Sequence, residues 1–214
     1  MLEPFSDVLR KGYEIVLSSA SPRRKEILSL GLPCPFRVQP STAEENLNKK
    51  DYLDKPQNYA MDTASLKSKA VMEAFKRDEE KNLLIIGSDT VIFFQGAIIG
   101  KPQEKEDAIK ILESLSGKSH EVYSGVSLLF KAKGSDDVLS HSFFEETKLH
   151  FDNLPADVIK AYVDTGVPMD KAGAYGIQAL GGTLIKRIEG DYYNVMGFPL
   201  HKFSRFMYDY LSSS

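Results

Sequence analysis

Ser18-Ser19-Ala20-Ser21-Pro22-Arg23-Arg24 sets a run of small residues directly before two arginines. Ser21-Pro22 is a helix start, with Ser as N-cap and Pro at the first helical position. The free N–H groups of a helix start, with the positive end of its dipole, favour an anion. Arg23 and Arg24 would add planar bidentate donors suited to phosphate, and small Ser19 and Ala20 let a ligand approach the backbone. A capped helix with solvated arginines uses the same residues.

Gly87-Ser88-Asp89-Thr90 follows the apolar run Leu83 to Ile86. The pattern predicts Asp89 just past the end of a buried strand, a common place for a catalytic group in α/β proteins. A carboxylate there would bind a divalent ion or take a proton from water; the alternative is an Asp capping a turn. In Gly100-Lys101-Pro102, Lys101 follows a predicted hairpin and precedes a helix. Its ammonium would meet a phosphate near Asp89, or serve only as a turn residue.

The segment 170–182 holds four glycines among small residues (DKAGAYGIQALGG). It either bends sharply or lets a ligand touch the main chain. Gln178 offers a donor and an acceptor for a base edge. The glycines lack the spacing of a dinucleotide fingerprint. Gly117-Lys118-Ser119 is not a P-loop: Leu112 stands where the motif needs glycine, and a helix precedes it. His120, His141, His150 and His201 show no metal-ligand spacing, and with Cys34 as the one cysteine they disfavour zinc. Cys34, between two prolines, reads as a small buried hydrophobe.

The elements that must position these residues follow from periodicity. Strands are predicted at 13–18, 36–38, 83–86, 91–94, 97–99, 120–131, 138–151 and 184–188. Helices are predicted from Ser21 to Gly31, and over 56–75, 105–115, 155–166 and 200–211. Gln95-Gly96 and Gly134-Ser135-Asp136-Asp137 read as hairpin turns. The fold class is mixed α/β with much antiparallel sheet, not strict βα alternation. Residues 1–12 read as an N-terminal extension and 13–214 as a single domain.

Of the 214 residues, 42% are hydrophobic, enough for a full core without disulfide staples. The formal net charge of −3 gives no global pull toward nucleic acid or anionic lipid, so attraction for an acidic ligand must be local. No apolar run approaches the ~20 residues of a membrane span, and the first twelve residues lack a signal-peptide core. A cytoplasmic location is the expectation.

Together the segments resemble the Maf family of nucleotide pyrophosphatases. The motifs are SASPRRKEIL (Ser19–Leu28), GSDTVI (Gly87–Ile92), GKP (Gly100–Pro102), LSGKSHEVYSGV (Leu115–Val126), PMDKAGAYGIQALGG (Pro168–Gly182) and GDYYNVMGFPL (Gly190–Leu200). The extension and the QALGG stretch look like the Maf domain of acetylserotonin methyltransferase-like proteins. The resemblance implies an elongated mixed sheet in two lobes with a central nucleotide cleft, as in inosine-triphosphate pyrophosphatases. It implies Asp89 as the catalytic aspartate, and Ser19, Arg23, Arg24, Lys67, Lys101 and Gln178 as substrate-binding residues. It further implies Glu45 with Asp89 as ligands of Mg²⁺ or Mn²⁺, and a homodimer. Glu45 is preferred over Glu44, and Lys67 over Lys69. The implied reaction converts dTTP, UTP and modified pyrimidine triphosphates to monophosphate and pyrophosphate. The sister subgroup, acting on 7-methyl-GTP, carries a tryptophan after the first motif's proline, and this chain has none. The family's association with inhibition of cell division leaves a nucleotide-binding regulator with little turnover as one alternative, and a 7-methyl-GTP-type pyrophosphatase is the other.

Overall fold

A computed structural model describes residues 1–75 and 80–213. One seven-stranded mixed sheet organises the chain. Its centre is β3 (Asn82–Phe94), flanked by β1 (Tyr13–Leu17) and β5 (Ser119–Lys131). β1 pairs in parallel with β3 and with short β2 (Arg37–Val38), whereas β5 runs antiparallel to β3. β6 (Val138–Phe151) and β7 (Ile185–Glu189) continue the antiparallel side. β4 (Ala97–Ile99) folds back on the end of β3. Gln95 and Gly96 make that turn with φ of 48° and 77°. Positive φ at both central residues is what a tight hairpin matching strand twist requires.

Helices cover the sheet unevenly. α1 (Ser6–Gly12), α2 (Pro22–Gly31) and α7 (Leu200–Ser212) share one core with β1 and the first half of β3. In α7 the four-residue spacing of Phe203, Met207 and Leu211 puts all three on the buried stripe. Leu2 and Leu9, from the segment before Tyr13, are fully buried in the same core. α4 (Lys105–Leu115) and α5 (Ala156–Asp164) build a second core against the far half of β3 and the ends of β5 and β6. These two buried clusters lie against different stretches of β3.

α3 (Pro56–Ala74) crosses the opposite face of the sheet, on β3 and β5. Its close approach depends on two strand glycines. A Cβ on Gly87 would lie 2.2 Å from the Ala64 carbonyl oxygen, and one on Gly125 would lie 2.4 Å from the Ala60 carbonyl carbon. Only glycine admits a helix backbone at that distance. These glycines therefore continue a strand rather than end one. β3 runs through Gly87-Ser88-Asp89-Thr90 to Phe94, so Asp89 sits in mid-strand, paired with Gly125, and not past a strand end as the sequence pattern suggested.

Candidate active site

The site lies where β3 loses its neighbour on one edge. β1 accompanies β3 only to the Leu17–Ile86 pair, and β4 joins only at Ile92. Ser18 donates its N–H to the Ile86 carbonyl (2.8 Å), and the chain then turns away into α2. Between these partners the edge of β3 at Asp89 and Thr90 faces a cleft of about 530 Å³.

Alternation along β3 divides the work of adjacent residues. Gly87 and Asp89 point toward α3, and Ser88 and Thr90 toward α2 and the short helix α6 (Tyr192–Met196). Asp89, 8% exposed, accepts a hydrogen bond from Lys67 Nζ at 2.8 Å. Lys67 belongs to the buried stripe of α3 and is 9% exposed. The same ammonium reaches Glu45 Oε1 at 2.9 Å. One buried cation therefore joins two carboxylates, which offsets the cost of placing Asp89 in the interior.

Arg24 approaches Asp89 Oδ1 at 3.9 Å and is fixed by other groups. Its Nε donates to the Gly197 carbonyl (2.9 Å), Nη1 to Ser19 Oγ (3.2 Å) and Nη2 to Thr90 Oγ1 (3.2 Å). Burial pulls the Arg24 pKa below the usual guanidinium range, while Asp89 and Glu45 act against that pull. Arginine nevertheless stays charged. The Gly197 carbonyl also accepts from Thr90 Oγ1 (3.2 Å) and Ser88 Oγ (3.4 Å). Thr90 touches Ser124 Oγ (2.8 Å), which donates to the Asn194 carbonyl (2.9 Å). Asn194, fully buried, ties α6 to β5 and β6 through Val122 O and Thr147 Oγ1. Asp191 caps α6 by accepting from the N–H groups of Tyr193 and Asn194.

Arg23 stands at the first turn of α2 and is drawn across the cleft to Asp170 Oδ2 (3.2 Å). Asp170 also holds Lys171, and desolvation opposes the lowering of its pKa by these two cations. Behind it, the glycine-rich segment is a series of short turns at Val167–Asp170, Ala172–Ala174 and Ala179–Leu184. Ala174 and Ala179 take positive φ, 59° and 49°. The segment is latched to α5 by Tyr162 Oη, which accepts from Gly176 N (3.2 Å), and to β5 by the Tyr175 hydroxyl, 2.7 Å from His120 Nε2. Gln178 lines the cleft beside this segment. Lys101 also lines the cleft, and Gly100 next to it accepts from Gly173 N (2.9 Å), which ties this loop to the glycine-rich segment.

Ser19, Arg23, Arg24, Glu45, Lys67, Asp89, Lys101 and Gln178 thus converge on one cleft. Sequence reasoning missed Thr90, Ser124, Asn194, Asp170 and the Gly197 carbonyl. The available signal was a helix cap at Asp191 followed by Gly197, which marks a short helix. Among the described residues, no group of three or more His, Cys, Asp or Glu could hold a metal ion. No helix of the described residues is long and apolar enough to cross a membrane.

The cleft is lined by six basic and three acidic side chains, although the whole chain is net acidic at −3. Fold and cleft together define a mixed α/β protein with a net basic cleft built around one buried aspartate. The chain belongs to the Maf family: the family profile described as Maf-like protein matches residues 14–210. It is 43% identical over 195 residues to the human "Probable bifunctional dTTP/UTP pyrophosphatase/methyltransferase protein", covering 89% of this chain and 31% of that protein. It is 40% identical over 196 residues to "dTTP/UTP pyrophosphatase" of Thermosipho africanus, covering 92% of this chain and 93% of the relative. The Thermotoga maritima protein of the same name is 40% identical over 195 residues, covering 91% and 88% of the two chains. Among solved structures, the Staphylococcus aureus Ham1 protein aligns with a TM-score of 0.49 and 15% identity.

Proposed function

We propose that the chain hydrolyses dTTP, UTP and related pyrimidine triphosphates to the nucleoside monophosphate and pyrophosphate. The observation that carries this is Asp89, buried on the free edge of β3, hydrogen-bonded by Lys67 and faced by Arg24 within a net basic cleft. Relatives alike over nearly their whole length bear the name dTTP/UTP pyrophosphatase.

The acidic donor set suits Mg²⁺ or Mn²⁺. Glu45 and Asp89 already share one cationic partner in Lys67, and their oxygen donors are of the kind a hard divalent ion takes. Glu45 and Asp89 would hold such an ion, which when bound supplies charge neutralisation for the triphosphate oxygens. The chain's own groups do the rest. Lys67 takes Asp89 Oδ1, leaving Oδ2 to accept the proton of the attacking water. Water adds to the α-phosphorus, the bond to the bridging oxygen breaks, and pyrophosphate leaves. Arg24, immobilised by Ser19, Thr90 and Gly197, meets the developing charge without reorganising. Arg23, Lys101 and the N–H groups opening α2 add donors along the phosphate chain. Gln178 reads the base edge.

Screening nucleoside triphosphates for pyrophosphate release tests the proposal. The expected result is turnover of dTTP and UTP, with oxygen from labelled water in the monophosphate. Label in orthophosphate would show cleavage at the γ-phosphorus and overturn it. Tight nucleotide binding without turnover would favour a nucleotide-sensing regulator.

A further inference from the structure

The three acids of the cleft are already matched. Glu45 and Asp89 are held by Lys67, and Asp170 by Arg23 and Lys171. Two cleft lysines, Lys49 and Lys101, form no ion pair among the described residues. Lys101 is a motif residue. Lys49 belongs to no motif and enters from the loop between β2 and α3, on a short turn at Lys49–Tyr52.

Its side chain reaches the loop between β4 and α4. Lys49 Nζ stands 2.7 Å from where a Cβ on Gly100 would lie. Glycine at 100 is what gives the ammonium room beside Lys101. Two unmatched cations on adjacent ground, in a cleft whose acids are satisfied, mark where the ligand must bring its own negative charge.

We propose that Lys49 is a further substrate-binding residue. With Lys101 it grips the far end of the phosphate chain, the part released as pyrophosphate. The inference rests on the proposed pyrophosphatase reaction, but its test does not need turnover. Pyrophosphate is bound to the full-length protein and followed by calorimetry, with wild type, Lys49→Met, Lys49→Arg, Gly100→Ala and Lys50→Met. Losing one charged donor to an anion should weaken pyrophosphate binding about tenfold in Lys49→Met. Lys49→Arg should restore most of it. Gly100→Ala keeps both lysines but displaces the Lys49 ammonium, and should weaken binding in the same direction. Lys50→Met should match wild type, since Lys50 lies outside the cleft lining. Binding of the nucleoside monophosphate should be unchanged by Lys49→Met. Pyrophosphate affinity in Lys49→Met within about twofold of wild type, where one charged donor is worth about tenfold, would overturn the assignment. An equal loss of monophosphate binding would do the same. If wild type binds pyrophosphate through Lys49 yet turns over no triphosphate, the reaction proposed above fails while this site stands.

Discussion

Lys67 Nζ donates to Asp89 Oδ1 at 2.8 Å, and both residues are buried. Neither position is affordable alone: an unpaired carboxylate or ammonium in the interior costs several kcal/mol. Asp89→Asn should therefore abolish pyrophosphate release while sparing the fold. The amide still accepts from Lys67 through its oxygen, and Lys67 keeps Glu45. A thermal melt close to wild type with no detectable product is the expected pair of results. Near wild-type turnover would remove Asp89 from the chemistry.

Arg23→Ala and Lys101→Ala should each weaken kcat/KM by about 2–4 kcal/mol, the scale of one preorganised charge donor. If both hold one phosphate chain, the double variant should lose less than the sum. Steady-state kinetics on the two single variants and the double variant measure the coupling. Normal rates in both singles would mean that these cations are merely solvated.

Thr90→Val should slow catalysis through Arg24. The hydroxyl accepts from Arg24 Nη2 and contacts both Ser124 Oγ and the Gly197 carbonyl. Valine keeps the shape and leaves those partners short of a bond, which costs roughly 1–3 kcal/mol for a buried group. Because the effect runs through the posture of the guanidinium, kcat should fall more than substrate binding weakens. Equal changes in kcat and KM would place Thr90 in the fold alone.

The sequence made the periodic elements legible and hid the joins. The amphipathic helices carry their stripes openly; Phe203, Met207 and Leu211 suffice to place α7. The hairpin at Gln95-Gly96 is likewise written in local chemistry. Asp89 was recognisable as a site residue, yet its setting was not. Gly87 looks like a strand end, and only the packing of α3 against it shows why a glycine belongs in mid-strand. Lys67 entered as a site residue only through the family resemblance, and nothing local announced that it would lie on the buried face of α3 and meet Asp89 there. The turn at Gly197 and the reach of Lys49 to Gly100 depend on distant segments, and no pattern along the chain encodes them.

Stability should fall on mild acidification through His120. This residue is fully buried, and burial, with His150 nearby, lowers its pKa from the ordinary 6.5 to about 4. Between those values the unfolded chain binds a proton that the folded chain refuses, so stability present above the unfolded pKa is lost as pH falls toward 4. The full difference is on the order of 3 kcal/mol. His120→Gln keeps a polar partner for Tyr175 and removes the titration. Denaturant melts from neutral pH down to about pH 4 should show a shallower decline in the variant than in wild type. Identical slopes would show that His120 does not carry the effect.

The base preference supplies the sharpest test of the cleft's far wall. Gln178 lines the cleft beside a segment whose turns are fixed by Tyr162 and by the pairing of Tyr175 with His120, so its amide is presented from a held backbone. A uracil or thymine edge offers an O4 acceptor and an N3–H donor, which one side-chain amide matches with its own donor and acceptor. Adenine presents the opposite order, so a carboxamide held in one orientation would leave one buried group unpaired at a cost of roughly 1–3 kcal/mol. Turnover of dTTP and UTP should therefore exceed that of ATP by about ten- to a hundredfold in kcat/KM, the fold-change that cost implies. Gln178→Ala should narrow the gap chiefly by slowing the pyrimidines, since the residue rewards the right edge rather than blocking the wrong one. Comparing dTTP, UTP, CTP, ATP, GTP and 7-methyl-GTP across wild type and variant decides the matter. A purine preference in wild type would overturn the substrate assignment itself. An undiminished pyrimidine preference in Gln178→Ala would leave selection to the shape of the pocket, with Gln178 no more than a brace for the turn that follows it.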